Sequence, residues 1–217
     1  MSSPLALQQT AATPRILVPD VPSLVMAGTR FYYLTTDGEL TTLTAAEALN
    51  VARQQTPIVV NAQRIAHRLN TERFTAYDLL ELFAFTRPGQ FCVPTPRGLA
   101  QALSLFEPEK PEDECLSLRD ITRHLLTDFA APGRPEKSNA AGLAALMGGF
   151  GDDTKTNHSP GWLWSTPVLA ALGRDENNIT RGEIKSSLRI WDKLPEWSTH
   201  APDPPGGHMG VTDEEVD

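Results

Sequence analysis

Phe31-Tyr32-Tyr33-Leu34, then Asp37-Gly38, then Leu40-Thr41-Thr42-Leu43, lead straight into Thr44-Ala45-Ala46-Glu47. Two short runs of aromatic and β-branched residues about an Asp-Gly pair spell a β-hairpin, because that pair accepts the positive φ of a tight turn. The next four residues spell a capping box. A Thr side chain takes a free N–H of the helix start, and a Glu three residues on takes the Thr N–H. A helix to about Gln54 follows, and Pro57 interrupts it. Beyond it, residues 58–60 read as a buried strand and residues 62–69 as a helix behind it. Ahead of the hairpin, residues 16–18 form a short apolar run ending at Pro19, consistent with a first strand. Asp78 caps a helix over 79–85 closed by Pro88, and Pro94-Thr95-Pro96 introduces another over 97–103. Strands that start as a hairpin and then alternate with helices predict an α/β domain with a small mixed sheet and flanking helices.

From Pro111 the pattern is helical throughout. Leu118, Ile121, Leu125 and Phe129 share one face at helical spacing. Residues 138–147 are Ala-rich and helical, 148–159 a polar loop, and 180–192 a last helix. The chain thus divides into a disordered tail (1–14), an α/β domain (15–110), an all-helical segment (111–197), and a Pro/Gly linker with an acidic tail (198–217). A linker normally leads to something. Here it reaches Val211-Thr212-Asp213-Glu214-Glu215, the cap and first turn of a helix, so the chain reads as the front of a longer one.

Charge is uneven along the 217 residues. The net charge is −8, of which residues 203–217 hold five acids and no base. Residues 53–97 run the other way, with six arginines against Glu72, Asp78 and Glu81. A chain that grips a phosphate backbone by its overall charge is more basic than this; one local arginine-rich face remains compatible. Cys92 and Cys115 lack CxxC spacing and read as reduced thiols. The first fifteen residues have neither a basic start nor a continuous apolar run, so they are no signal peptide. No stretch approaches the ~18 apolar residues of a membrane span. A soluble, cytoplasmic protein is expected.

Motifs that approach known chemistry each lack a required residue. In Gly149-Phe150-Gly151-Asp152-Asp153-Thr154-Lys155-Thr156, Thr154 stands where a phosphate-cradling loop needs its second glycine, and Asp152 and Asp153 repel an anion. The histidines at 67, 124, 158, 200 and 208 pair with neither each other nor cysteine at zinc spacing. Trp162, Trp164, Trp191 and Trp197 suit base stacking or packing, and packing is the commoner use.

The succession Asp20, Asn61-Ala62, Asp78-Leu79-Leu80-Glu81-Leu82 and Arg97-Gly98-Leu99-Ala100 resembles the proofreading 3′–5′ exonucleases of the ribonuclease-H-like fold. That resemblance implies four carboxylates holding two metal ions. The acids are missing: Pro22 replaces the partner of Asp20, and Ile65 stands where a second-motif Asp belongs. The scaffold is therefore read as a degenerate exonuclease, with no catalytic, cofactor-binding or metal-binding residues assigned. An active nuclease using Asp20, Asp78, Glu81 and Asp120 is the alternative, and a protein-interaction module is a third.

Two blocks carry a closer resemblance. Residues 78–85 with Phe91-Cys92-Val93-Pro94-Thr95-Pro96-Arg97-Gly98-Leu99-Ala100, and Leu188-Arg189-Ile190-Trp191-Asp192-Lys193-Leu194-Pro195-Glu196-Trp197, resemble the N-terminal region of bacterial DinG-like ATP-dependent DNA helicases. Trp162-Leu163-Trp164 and Val168-Leu169-Ala170-Ala171-Leu172-Gly173 fit between them. The resemblance implies a non-catalytic N-terminal module in DNA repair. It would dock on the helicase motor domains, guide single-stranded DNA, or bind a partner. ATP and magnesium are then expected only in the motor. Arg53, Arg64, Arg68, Arg73, Arg87 and Arg97 are the candidates for DNA contact.

Overall fold

Alternation in the central strands sorts the core into two faces. The computed structural model describes residues 13–131, 139–150 and 161–188. The strands are β1 (Ser23–Ala27), β2 (Arg30–Leu34), β3 (Leu40–Leu43), β4 (Ile58–Val59) and β5 (Tyr77–Asp78). They form one mixed sheet in the order β3-β2-β1-β4-β5. The β3–β2 and β2–β1 pairs are antiparallel, whereas β1–β4 and β4–β5 are parallel. Side chains alternate across a strand. Leu24, Phe31, Tyr33 and Val59 therefore enter one core cluster and Val25, Leu34 and Ile58 the other.

The first of these faces is covered by α1 (Ala45–Gln54) and α2 (Ala62–Arg68), through Ala48, Ala52, Ile65 and Leu69. The second carries α3 (Leu79–Thr86), α4 (Pro96–Ala102), α5 (Pro111–Ala130), α6 (Ala140–Met147) and α7 (Ser165–Ala171). A short α8 (Arg181–Leu188) packs on α6, where Ser187 lies so close that a Cβ on Gly142 would meet it at 2.8 Å. The 20-residue α5 is about 30 Å long. It lies across β1 and β2 and buries Cys115, Leu118, Ile121, Leu125 and Leu126 completely. Each such aliphatic side chain stabilises by about 1.5–3 kcal/mol. Residues on both sides of Lys110 share that one core.

The hairpin and the capping box form as expected. Thr44 Oγ1 accepts from Glu47 N, and Glu47 Oε2 accepts from Thr44 N at 2.8 Å. One expectation fails: residues 16–18 are not a strand, and the first strand is Ser23–Ala27. Pro19 and Pro22 offer no N–H to a sheet ladder. The leading segment instead runs toward α7, where Arg15 N donates to Ala170 O at 2.9 Å. β1 and β2 turn through Gly28 and Thr29, with Gly28 at φ +61, the signature of a two-residue hairpin with glycine first. The expectations for 1–12, 132–138, 151–160 and 189–217 lie outside the described residues. They include most of the 149–156 loop, the Trp191 and Trp197 block, the linker and the acidic tail.

Candidate nucleic-acid interface

The buried stripes of α1 and α2 decide which of their arginines reach solvent. With Ala48 and Ala52 of α1 and Ile65, Ala66 and Leu69 of α2 against the sheet, Arg53, Arg64 and Arg68 are exposed. Arg64 and Arg68 are four residues apart and share a line on α2. Arg73 is exposed in the segment between α2 and β5. None of these four side chains makes an ion pair with a described residue. The acids of residues 45–73 are Glu47 and Glu72, and Glu47 is committed to the capping box. α2 itself contains no acid. A local basic surplus is therefore carried by one layer of an acidic chain.

The remaining two arginines sit elsewhere. Arg87 follows α3 and pairs with Asp128 of α5. Arg97, on α4, places Nε 3.1 Å from Glu107 Oε2. Both sit on or next to helices packed against the face of the sheet opposite α1 and α2. Four of the six candidates thus lie on or beside α1 and α2 and two do not, with Arg64 at the edge where the cleft reaches Thr95, Pro96 and Glu114.

Asp78 is the structural centre of the acidic set. It ends β5 and caps α3, and its carboxylate accepts from Leu80 N at 3.0 Å, Asn61 N at 3.0 Å and Ala62 N at 2.7 Å. Asn61, at φ +65, turns the chain from β4 into α2 and caps it through Arg64 N. One buried carboxylate thus ties together the ends of two neighbouring parallel strands. Trp164 is fully buried, donates to Asp78 O at 2.8 Å and meets Tyr77 edge-on at 4.9 Å. Trp162 packs on Phe85 at 4.7 Å and donates to Glu81 Oε2 at 3.0 Å. Burial, with the nearby Asp78 charge, pushes the Glu81 carboxyl above its ordinary pKa, and the Trp162 hydrogen bond opposes this. Asp20 pairs with Arg119 at 2.8 Å and Asp120 with Arg123 at 2.7 Å, both near solvent. Among the described residues no three ligating side chains converge on one point.

The block over residues 91–100 is equally structural. Thr95 Oγ1 accepts from Gly98 N at 3.0 Å, and Pro96 occupies the first helical turn. A Cβ on Gly98 would come within 2.3 Å of Val93 O, so this position requires glycine. A cleft of about 180 Å3 opens beyond the C-terminal ends of β1 and β4, with Arg64, Thr95 and Glu114 among its lining residues. Such crevices are where open α/β sheets hold ligands. Burial pushes the Glu114 carboxyl up, partly offset by Arg97. Nothing local in the sequence marks this cleft, because Met26, Arg64 and Glu114 meet only through the fold.

Comparison with protein-family models, with curated proteins and with solved structures returned no match. Among the described residues no helix is long and apolar enough to cross a membrane.

Proposed function

We propose that this chain is a non-catalytic N-terminal accessory module of the DinG-like helicase type, built on a ribonuclease-H-like scaffold, whose α1–α2 face guides single-stranded DNA toward a motor. The observation that carries the reading is the set of Arg53, Arg64, Arg68 and Arg73, exposed on or beside α1 and α2 without an ion-pair partner among the described residues. Arginine guanidinium groups suit phosphate oxygens, and a stripe of them tracks a backbone without reading sequence. The scaffold reading is supported by a meander of three antiparallel strands continued by two parallel strands. The accessory reading is supported by the acids: Asp78 is committed to three backbone N–H groups, and Asp20 and Asp120 face arginines.

Titration of a fluorescent single-stranded oligonucleotide, followed by anisotropy at low salt, tests this. The expected dissociation constant is about 10 μM, in the range of non-specific binding. Arg64→Ser with Arg68→Ser should weaken it roughly tenfold. Undiminished binding by that double variant rejects the α1–α2 face. Magnesium-dependent strand cleavage that Asp78→Ala abolishes rejects the non-catalytic reading in favour of a nuclease.

A further inference from the structure

A second surface, on the other side of the sheet, has the opposite character. The outer stripe of α5 presents Asp113, Leu116, Ser117 and Asp120, at the i, i+3, i+4, i+7 spacing of one helix face. Leu105, Phe106 and Pro108, in the segment from α4 to α5, form the facing wall of a groove of about 390 Å3. Phe106 is 82% exposed and Leu116 56% exposed. Around this apolar floor the chain is acidic: residues 107–120 hold six acids and two bases.

We propose that this groove docks an amphipathic, basic helix of a partner protein, with an apolar ridge seated between Phe106 and Leu116 and lysines or arginines reaching Asp113 and, in competition with its exposed Arg123 pair, Asp120. A helix laid along α5 presents its ridge at the same spacing as the groove, the usual helix-in-groove mode. Charge selects this occupant. The chain's own residues 203–217, with five acids and no base, are repelled. The basic α1–α2 layer of a second copy has the right sign, but none of the exposed large apolar side chains lies between residues 41 and 90, so it has nothing to fill the groove. Nucleic acid is excluded by the acidic rim. The proposal stands whether or not the α1–α2 layer binds DNA, because the two surfaces lie on opposite faces of the sheet.

The probe is a synthetic peptide with leucines at i, i+3, i+4 and i+7 and lysines between them, titrated against the full chain. A scrambled peptide of the same composition and a leucine–glutamate counterpart serve as controls. Only the leucine–lysine amphipath should bind. Phe106→Ser and Leu116→Glu should each weaken it by about tenfold or more. Asp113→Asn with Asp120→Asn should weaken it and flatten its salt dependence. Phe106 and Leu116 are exposed, so a thermal melt should show these variants folded. No binding, equal binding of the scrambled peptide, or unchanged binding by the two apolar variants overturns the proposal. A concentration-dependent dimer that Phe106→Ser abolishes also overturns it, by placing a second copy in the groove.

Discussion

Asp78 satisfies three backbone N–H groups at once, so its carboxylate is worth more than an ordinary helix cap. A single cap contributes about 1 kcal/mol, and each buried donor left without a partner costs about 1–3 kcal/mol. Asp78→Ala should therefore lower stability by roughly 3 kcal/mol, read as a shift of the urea midpoint at neutral pH. Asp78→Asn keeps one acceptor oxygen and should fall between the two. Glu81 behaves in the opposite sense. Its carboxyl is raised by burial and by Asp78, so the folded chain holds that proton more tightly than the unfolded one. Stability then falls as pH rises from the usual glutamate value through the raised one, and levels off above it. Glu81→Gln keeps an acceptor for Trp162 Nε1 and loses the charge. Unfolding measured across the acidic range should show a shallower fall for that variant, with Glu114, also raised, supplying part of what remains. An unchanged pH profile would remove Glu81 from this role.

Elements whose ends are written in side-chain chemistry were legible from the sequence. α1 begins at its Thr44 box, α3 at Asp78 and α4 at Thr95-Pro96, because a cap is a local contract between a side chain and the next turn. The apolar face of α5 was legible through its period, since Leu118, Ile121, Leu125 and Phe129 are all buried. β1 was not. Residues 16–18 are as apolar as β1, and the choice between them rests on pairing with β2 across a two-residue turn and with β4, which is non-local. Gly28-Thr29 was the available signal. β5, two residues long, is defined only by its pairing with β4. For the candidate site, residue type and exposure were legible and pairing was not. Arg87 and Arg97 find their acids 41 and 10 residues away, through the docking of α5 and the segment before it. That docking has its own test. Cys115, on the sheet-facing side of α5, is fully buried, donates to Tyr32 O at 3.3 Å, and has its thiol pKa pushed up to about 12 by burial. Cys92 is half-buried. A thiol reagent at neutral pH should label Cys92 in the native chain and Cys115 only as the chain unfolds. Simultaneous labelling of both would mean that α5 opens locally.

At the scale of the whole molecule, the sheet separates two charge regimes. On one side lie α1, α2 and the segment after them, with four arginines that form no ion pair with a described residue, Arg64 reaching the cleft it shares with Glu114. On the other, α5 and the segment before it carry a concentration of acids and tie down Arg87 and Arg97. A net charge of −8 opposes any nucleic acid approaching at random. The proposed binding would therefore be oriented, with the strand meeting the basic layer and turned away from the acidic one. The most direct measurement is the salt dependence of single-stranded DNA affinity for the native chain and for a variant with Arg53, Arg64, Arg68 and Arg73 all changed to serine. Each neutralised phosphate contributes about −0.7 to the slope of log affinity against log salt, so four contacts should give a slope of about −3. The variant should lose most of that slope together with its affinity. Equal slopes for the two proteins would contradict the account, because the contacts would then lie somewhere other than the α1–α2 face.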